Sequence, residues 1–250
     1  MENFVNVSNE LLIDFIKIRE NYLSSLINLS NKVINDFTEK YLAIKEENKE
    51  KSIFFNPLYY FNIGETLHSY MLADLLNPNS NHGQGRLFLN SFLKKLKIIE
   101  PENENGIWSI TAEKGRIDVL LVRDDPHSVI IIENKSNNAV DQNNQLFRYW
   151  YQKIYLTNKN IDYSKKETYE HNYKILYLPP DDSKTPNDSS LQKPDWEELI
   201  DFPYKELPLS YEKITFKGFI CEWLRGCINQ IHVENHRLKQ YLEQYIELWN

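Results

Sequence analysis

Cys221 and Cys227 are the only cysteines in 250 residues, so a disulfide scaffold is excluded and a reducing, cytoplasmic setting is expected. They lie six apart with no His or Cys at zinc spacing beside them, which argues against a structural zinc. Glycine is scarce, at 7 residues. The one loop with closely spaced glycines, Asn81-His82-Gly83-Gln84-Gly85, lacks the Lys-Ser/Thr ending of a nucleotide-binding P-loop, though it could form a loop on the substrate side. Alanine occurs only at positions 43, 73, 112 and 139, which together with abundant Asn and Ile reads as codon bias rather than function. No window approaches about eighteen uninterrupted apolar residues, so no membrane-spanning helix and no membrane partner are expected. The start, MENFVNVSNELLIDF, lacks the basic and apolar blocks of a secretory signal. Positive charge is also short: 29 Lys and Arg against 36 Asp and Glu give a net charge of −7. That balance argues against a protein that coats nucleic acid non-specifically and is compatible with an enzyme gripping it through bound cations and a local basic strip.

Apolar residues are plentiful at 41%, with 13% aromatic, enough for a full core and against global disorder. Apolar positions from Leu12 to Tyr41 follow helical three-and-four spacing, with a plausible start near Ser8 and an end in the charge run KEENKEKS. A second helix is expected over 63–76, stopped by Asn77-Pro78, and a third over 87–96. The period then changes. IWSITA (107–112), RIDVLLV (116–122), VIIIENK (129–135) and NYKILYL (172–178) read as strands, with a helix from Asp141 to about Leu156 between the last two. Helical spacing returns from Phe216 to Trp249. This order describes a mixed sheet covered by helices. The first 55 residues form an N-terminal helical extension and 56–250 the main domain.

The hairpin at 116–135 carries the chemistry. With its turn centred between Asp125 and Pro126, the numbers of opposed residues sum to 251, which sets Asp118 opposite Glu133 on one face. Opposed Cβ atoms lie roughly 4.5–5.5 Å apart. Two carboxylates that close, among Ile117, Val119, Leu120, Ile131 and Ile132, repel unless something offsets them. A divalent cation with oxygen ligands is the simplest remedy. Lys135 follows Glu133 by two residues, so strand alternation aims it at the same face, where an ammonium can orient water or stabilise charge on a phosphate oxygen. The competing reading is an ordinary salt-bridge cluster at a strand end.

Asp118, followed fifteen residues later by Glu133-Asn134-Lys135, resembles the active-site signature of the PD-(D/E)XK nuclease superfamily. Glu65 in GETLHSYMLADLLNP, and Gln145 with Tyr149 in QLFRY, which resembles the exonuclease-type Q-x-x-x-Y motif, widen the match, as do GRIDVLL, IIIENK and DQNNQLFRYW. Together these phrases resemble one bacterial subfamily over about residues 61–250. Ile117 stands where the superfamily's name has proline, which is not a ligand. The resemblance implies a restriction-endonuclease-like α/β fold: an α-β-β-β-α-β core with a mixed four-stranded sheet flanked by helices, plus N- and C-terminal helical additions. It implies Mg²⁺ or Mn²⁺ held by Asp118, Glu133, the Asn134 backbone carbonyl and Glu65, with Lys135 acting on the attacking water. The implied activity is phosphodiester hydrolysis, most plausibly of DNA, in defence, repair or mobile-element biology. The alternative is a non-catalytic nucleic-acid or protein-interaction module on the same fold.

Gln145 and Tyr149 share a helix face, with Arg148 close to it; they could hold a substrate phosphate or fix Lys135 and Glu133, or Tyr149 could be core and Gln145 exposed. His68, three residues after Glu65, could face the same site as a substrate contact, against a hydrogen-bonded structural role. The long apolar stripe of the N-terminal helices must be buried somewhere, either on the same chain or against a second copy in a homodimer. Light scattering should show a smaller oligomer for a chain beginning at Ser52 than for the full chain. A monomer in both cases would remove the homodimer.

Overall fold

The computed structural model describes residues 2–100 and 106–250. Its contacts cluster into two compact units, one ending at Pro57 and the other spanning Leu58–Asn250. In the first unit, helix α1 (Glu2–Lys51) is continuous, so Ser8 lies inside it rather than at its start. Its side chains from Leu11 to Ile44, including Phe15, Tyr22 and Phe37, are exposed. Among the described residues no helix is long and apolar enough to cross a membrane.

The second unit is built on one mixed sheet. After helices α2 (Glu65–Leu76) and α3 (Leu87–Lys95) come strands β1 (Trp108–Lys114), β2 (Ile117–Arg123) and β3 (Ser128–Asn134). Helix α4 (Gln145–Trp150) continues into a wider π-type turn (Tyr151–Tyr155) and leads to β4 (Tyr173–Leu178). A short helix α5 (Asp188–Leu191), strand β5 (Glu212–Lys213), and helices α6 (Cys221–Ile228) and α7 (His236–Glu247) complete it. The spatial order is β1-β2-β3-β4-β5. The first three strands are antiparallel, and β4 and β5 run parallel to their inner neighbours. The expected four-stranded core is present, and the two-residue β5 makes a fifth strand.

Strand alternation divides the core between two faces. Val119, Leu121, Ile130, Ile132, Leu176 and Leu178 pack with α2, α3, α6 and α7. Leu120, Val129, Ile131, Ile175 and Tyr177 pack with α4 and the tyrosine-rich segment behind it. Every residue of β3 is buried, which explains its unbroken apolar run. Asp118, Glu133 and Tyr177 share the α4 side by alternation, and Asn134 belongs to the α2 side.

The β2–β3 register is Val119↔Ile132 through Arg123↔Ser128, each pair summing to 251 as the sequence predicts. Arg123 locks the turn end of this hairpin. It is fully buried, pairs with Glu100 at 2.7 Å, donates to the carbonyls of Pro126 and Ile99 and to Ser128 Oγ, and lies 5.0 Å from the Trp108 ring centroid. Gly106 passes so close that a Cβ there would overlap the Arg123 Cδ. Removing the guanidinium leaves a cavity and takes the donor from the Pro126 and Ile99 carbonyls and Ser128 Oγ, while Glu100 keeps Arg86 at 2.7 Å. We therefore predict that Arg123→Ala lowers unfolding free energy by about 2–4 kcal/mol in urea denaturation. A loss below about 1 kcal/mol would show that the hairpin does not depend on this anchor.

Candidate active site

The strand ends opposite the Arg123 lock carry the polar residues. Asp118 lies one step beyond the last ladder pair, and its Oδ2 accepts the Asn134 backbone N–H at 2.6 Å. Glu133 and Lys135 are almost wholly buried, and Lys135 Nζ lies 2.6 Å from Glu133 Oε1. The other oxygen, Glu133 Oε2, is buried without any hydrogen-bond partner. Asn134 joins the two layers: its side-chain amide donates to the Glu65 carbonyl at 2.8 Å and to Ser69 Oγ at 3.1 Å, while its Oδ1 accepts from Ser136 N at 2.9 Å. This pins the first turn of α2 to the end of β3.

The electrostatics follow from burial. Desolvation first, and the Glu133 carboxylate second, push the Asp118 carboxyl up to about 8. Burial pushes Glu133 up as well, against the pull of Lys135. Burial opposes the Lys135 charge, but Glu133, their hydrogen bond and Asp141 outweigh it and hold the ammonium charged. One buried and one half-buried carboxylate, Glu133 and Asp118, therefore lie beside one ammonium.

The predicted residues are not all brought to this point. Glu65, at the first turn of α2, uses Oε1 to accept the backbone N–H groups of Asn137 and Ala139, each at 3.2 Å, which ties down the loop after β3. Its charge is felt by Glu133. Gln145 and Tyr149 are both buried, so Gln145 is not the exposed residue that one reading expected. Gln145 Nε2 donates to Tyr149 Oη at 2.9 Å, and Tyr149 donates a short hydrogen bond to the Arg116 carbonyl, two residues before Asp118. Burial, with Glu133 next, pushes the Tyr149 phenol well up, so it stays a donor. This pair anchors α4 to the start of β2. Arg148 reaches Gln142 Oε1 at 3.2 Å, and its Nε is buried without a partner. His68 is not a substrate contact. It is 3% exposed, hydrogen-bonded through Nδ1 to Tyr245 Oη at 2.9 Å, and packed against Phe216 and Trp249. Burial lowers it to about 4, so it is neutral core.

Two carboxylates escaped the sequence reading. The Asp141 side chain is 3% exposed, 3.8 Å from Lys135 Nζ, and accepts from Tyr177 Oη at 3.0 Å and Asn187 N at 2.9 Å. It stands in the loop ahead of α4, where a helix start was expected. Glu113 raises the Asp118 carboxyl from the neighbouring strand. Its signal was available: the β1–β2 pairs Ala112↔Val119 and Lys114↔Ile117 bracket Glu113 and Asp118. A left-handed φ of 55° at Glu113 interrupts the ladder there. Among the described residues, no three His, Cys, Asp or Glu side chains converge as a ready-made metal cluster. The unpartnered Glu133 oxygen and the raised Asp118 nonetheless mark a place with more acid than the protein offsets, which suits a hard cation held by two carboxylates and uncharged oxygens.

Two acids and a lysine thus meet at the open end of the β2–β3 hairpin in a mixed sheet flanked by helices. The chain belongs to the PD-(D/E)XK nuclease superfamily, whose family model matches residues 55–247. No curated protein and no solved structure matches it.

The pH dependence of stability follows from Asp118. Its folded value, about 8, lies above its ordinary value of 3.8, so the folded protein retains a proton that the unfolded chain releases. That stabilisation is complete below about 4 and lost as pH rises through about 8. In EDTA the melting temperature should fall between pH 5 and pH 8.5, and Asp118→Asn should flatten the slope. A wild-type slope that is flat, or that the substitution leaves untouched, would refute the buried-acid account.

Proposed function

We propose that this protein is a metal-dependent nuclease that hydrolyses phosphodiester bonds in DNA. The observation that carries the reading is the buried, partnerless Glu133 oxygen beside the raised Asp118 carboxyl, with Lys135 within 2.6 Å of Glu133. Asp118 and Glu133 would hold Mg²⁺ or Mn²⁺, with the Asn134 carbonyl as a third ligand and Glu65 acting directly or through water. When bound, the cation supplies charge stabilisation at the phosphoryl oxygens and a more acidic water.

The chain's own residues do the rest. The Asn134 amide fixes the Asp118 carboxylate at 2.6 Å and so sets the spacing of the two acids. Lys135, charged and held between Glu133 and Asp141, orients the attacking water and steadies negative charge growing on the phosphate. The Tyr149–Arg116 bond keeps the start of β2 from drifting off α4. Self-association through α1 joins this proposal. Ile13, Ile16, Leu23, Ile27, Ile34, Phe37, Tyr41 and Ile44 are exposed and fall on the two seam positions of one heptad register, the pattern of a coiled coil with a second copy. Two copies would bring two sites to one DNA duplex.

DNA should be cleaved in Mg²⁺ and spared in EDTA, and linear, circular and single-stranded substrates separate end-dependent from internal cleavage. Asp118→Ala and Lys135→Met should each lower the rate by roughly 10²-fold or more. Equal cleavage by wild type and Asp118→Ala would overturn the mechanism. No cleavage of any DNA or RNA substrate would point instead to a non-catalytic module.

A further inference from the structure

A cavity of about 290 Å³ opens beside the acids, lined by Gly115, Arg116, Arg148, Tyr149 and Gln152. We infer that it is a phosphate subsite for the DNA backbone, formed by the guanidinium groups of Arg116 and Arg148 with Lys153 at its edge. The inference rests on the nuclease reading above and adds to it the group that grips the strand.

Three observations carry it. The first is charge. The chain carries a net −7, yet among the described residues none of these three cations has a carboxylate within salt-bridge distance. Cations gathered around one concavity and left uncompensated are the footprint of an anionic ligand. The second is the Arg148 Nε, which is buried and has no hydrogen-bond partner, although its neighbouring nitrogen is satisfied by Gln142. A guanidinium presents a planar fork of donors matched to phosphate oxygens, and a phosphate in this cavity would engage donors that the protein leaves open.

The third is the backbone at Arg116. The pair Lys114↔Ile117 closes β1 and β2 with a two-residue turn, Gly115-Arg116. Both turn residues have positive φ, 68° and 66°. Such turns favour glycine or asparagine at both positions, and a long side chain there is strained. Strain of this kind clusters where a side chain is needed for function. The strained turn is also held in place, because Tyr149 donates to the Arg116 carbonyl. Lys153 stands at the same turn: its Nζ lies 3.9 Å from where a Cβ on Gly115 would sit. Arg116 precedes Asp118 by two residues at the start of the same strand, so the subsite adjoins the acids. A backbone phosphate seated here would lead the neighbouring phosphodiester towards Asp118 and Glu133.

The test measures binding apart from cleavage. A fluorescent DNA duplex of about 20 base pairs is titrated with full-length protein in EDTA at several salt concentrations, and cleavage in Mg²⁺ is scored separately. Arg116→Gly should leave the melting temperature equal or higher, because the turn is relieved of strain. It should weaken binding roughly tenfold at low salt and reduce the steepness of the salt dependence by about 1. Arg148→Gln should do the same to binding, whereas Lys165→Ala, an exposed lysine paired with Asp162 elsewhere, should change neither. Unchanged binding and salt slope in Arg116→Gly and Arg148→Gln, an equal loss in Lys165→Ala, or absence of wild-type binding would overturn the subsite. Wild-type protein that binds in this pattern but never cleaves would overturn the nuclease reading and leave the subsite standing.

Discussion

The candidate site depends on one hydrogen bond, from the Asn134 backbone N–H to the Asp118 carboxylate at 2.6 Å. It lies just past the last ladder pair of β2 and β3, where two antiparallel strands would otherwise be free to splay. Splaying is favoured there, because Asp118 and Glu133 repel each other in an apolar setting that screens charge poorly. The amide holds one acid while Lys135 holds the other at 2.6 Å. The side chain of the same asparagine reaches the first turn of α2, so the sheet, the covering helix and the acids are fixed by one residue.

The site is over-supplied with acid, and this follows from how it is enclosed. Glu133 and Asp141 flank the buried Lys135, while Glu113 and Glu65 act on Asp118 and Glu133 through their charge. A well-packed core of similar shape would be more stable than such a cluster. Clusters of this kind are common where charged chemistry is carried out. The neutral buried His68 shows the contrast: it is one turn from Glu65, yet Tyr245, Phe216 and Trp249 enclose it as an ordinary core group.

Tyr149 is buried, but it does more than fill the core. It spends its hydroxyl on the Arg116 carbonyl and thereby links α4, the strained β1–β2 turn and the start of the strand that carries Asp118. The helix that bears it starts at Gln145, not at Asp141, because Asn144 takes a left-handed φ of 58° and Asp141 is engaged by Tyr177 and Asn187.

The sequence by itself determined the succession of the first four strands along the chain and the β2–β3 hairpin register, and with it that Asp118 and Glu133 meet at the hairpin's open end. These are short-range facts: side-chain period, turn position and residue counting fix them without knowledge of any distant segment. The tertiary structure decided what those residues meet. Asp141 joins Lys135 only because the loop after β3 folds back against β4, and Glu65 turns from the acids to the amides of Asn137 and Ala139 because α2 docks at that loop. Strand β5 is two polar residues that carry no strand pattern and pair only because β4 offers an open edge. No local period records such contacts, whether six positions apart or more than seventy, since they are chosen by packing and by the need to satisfy buried polar groups.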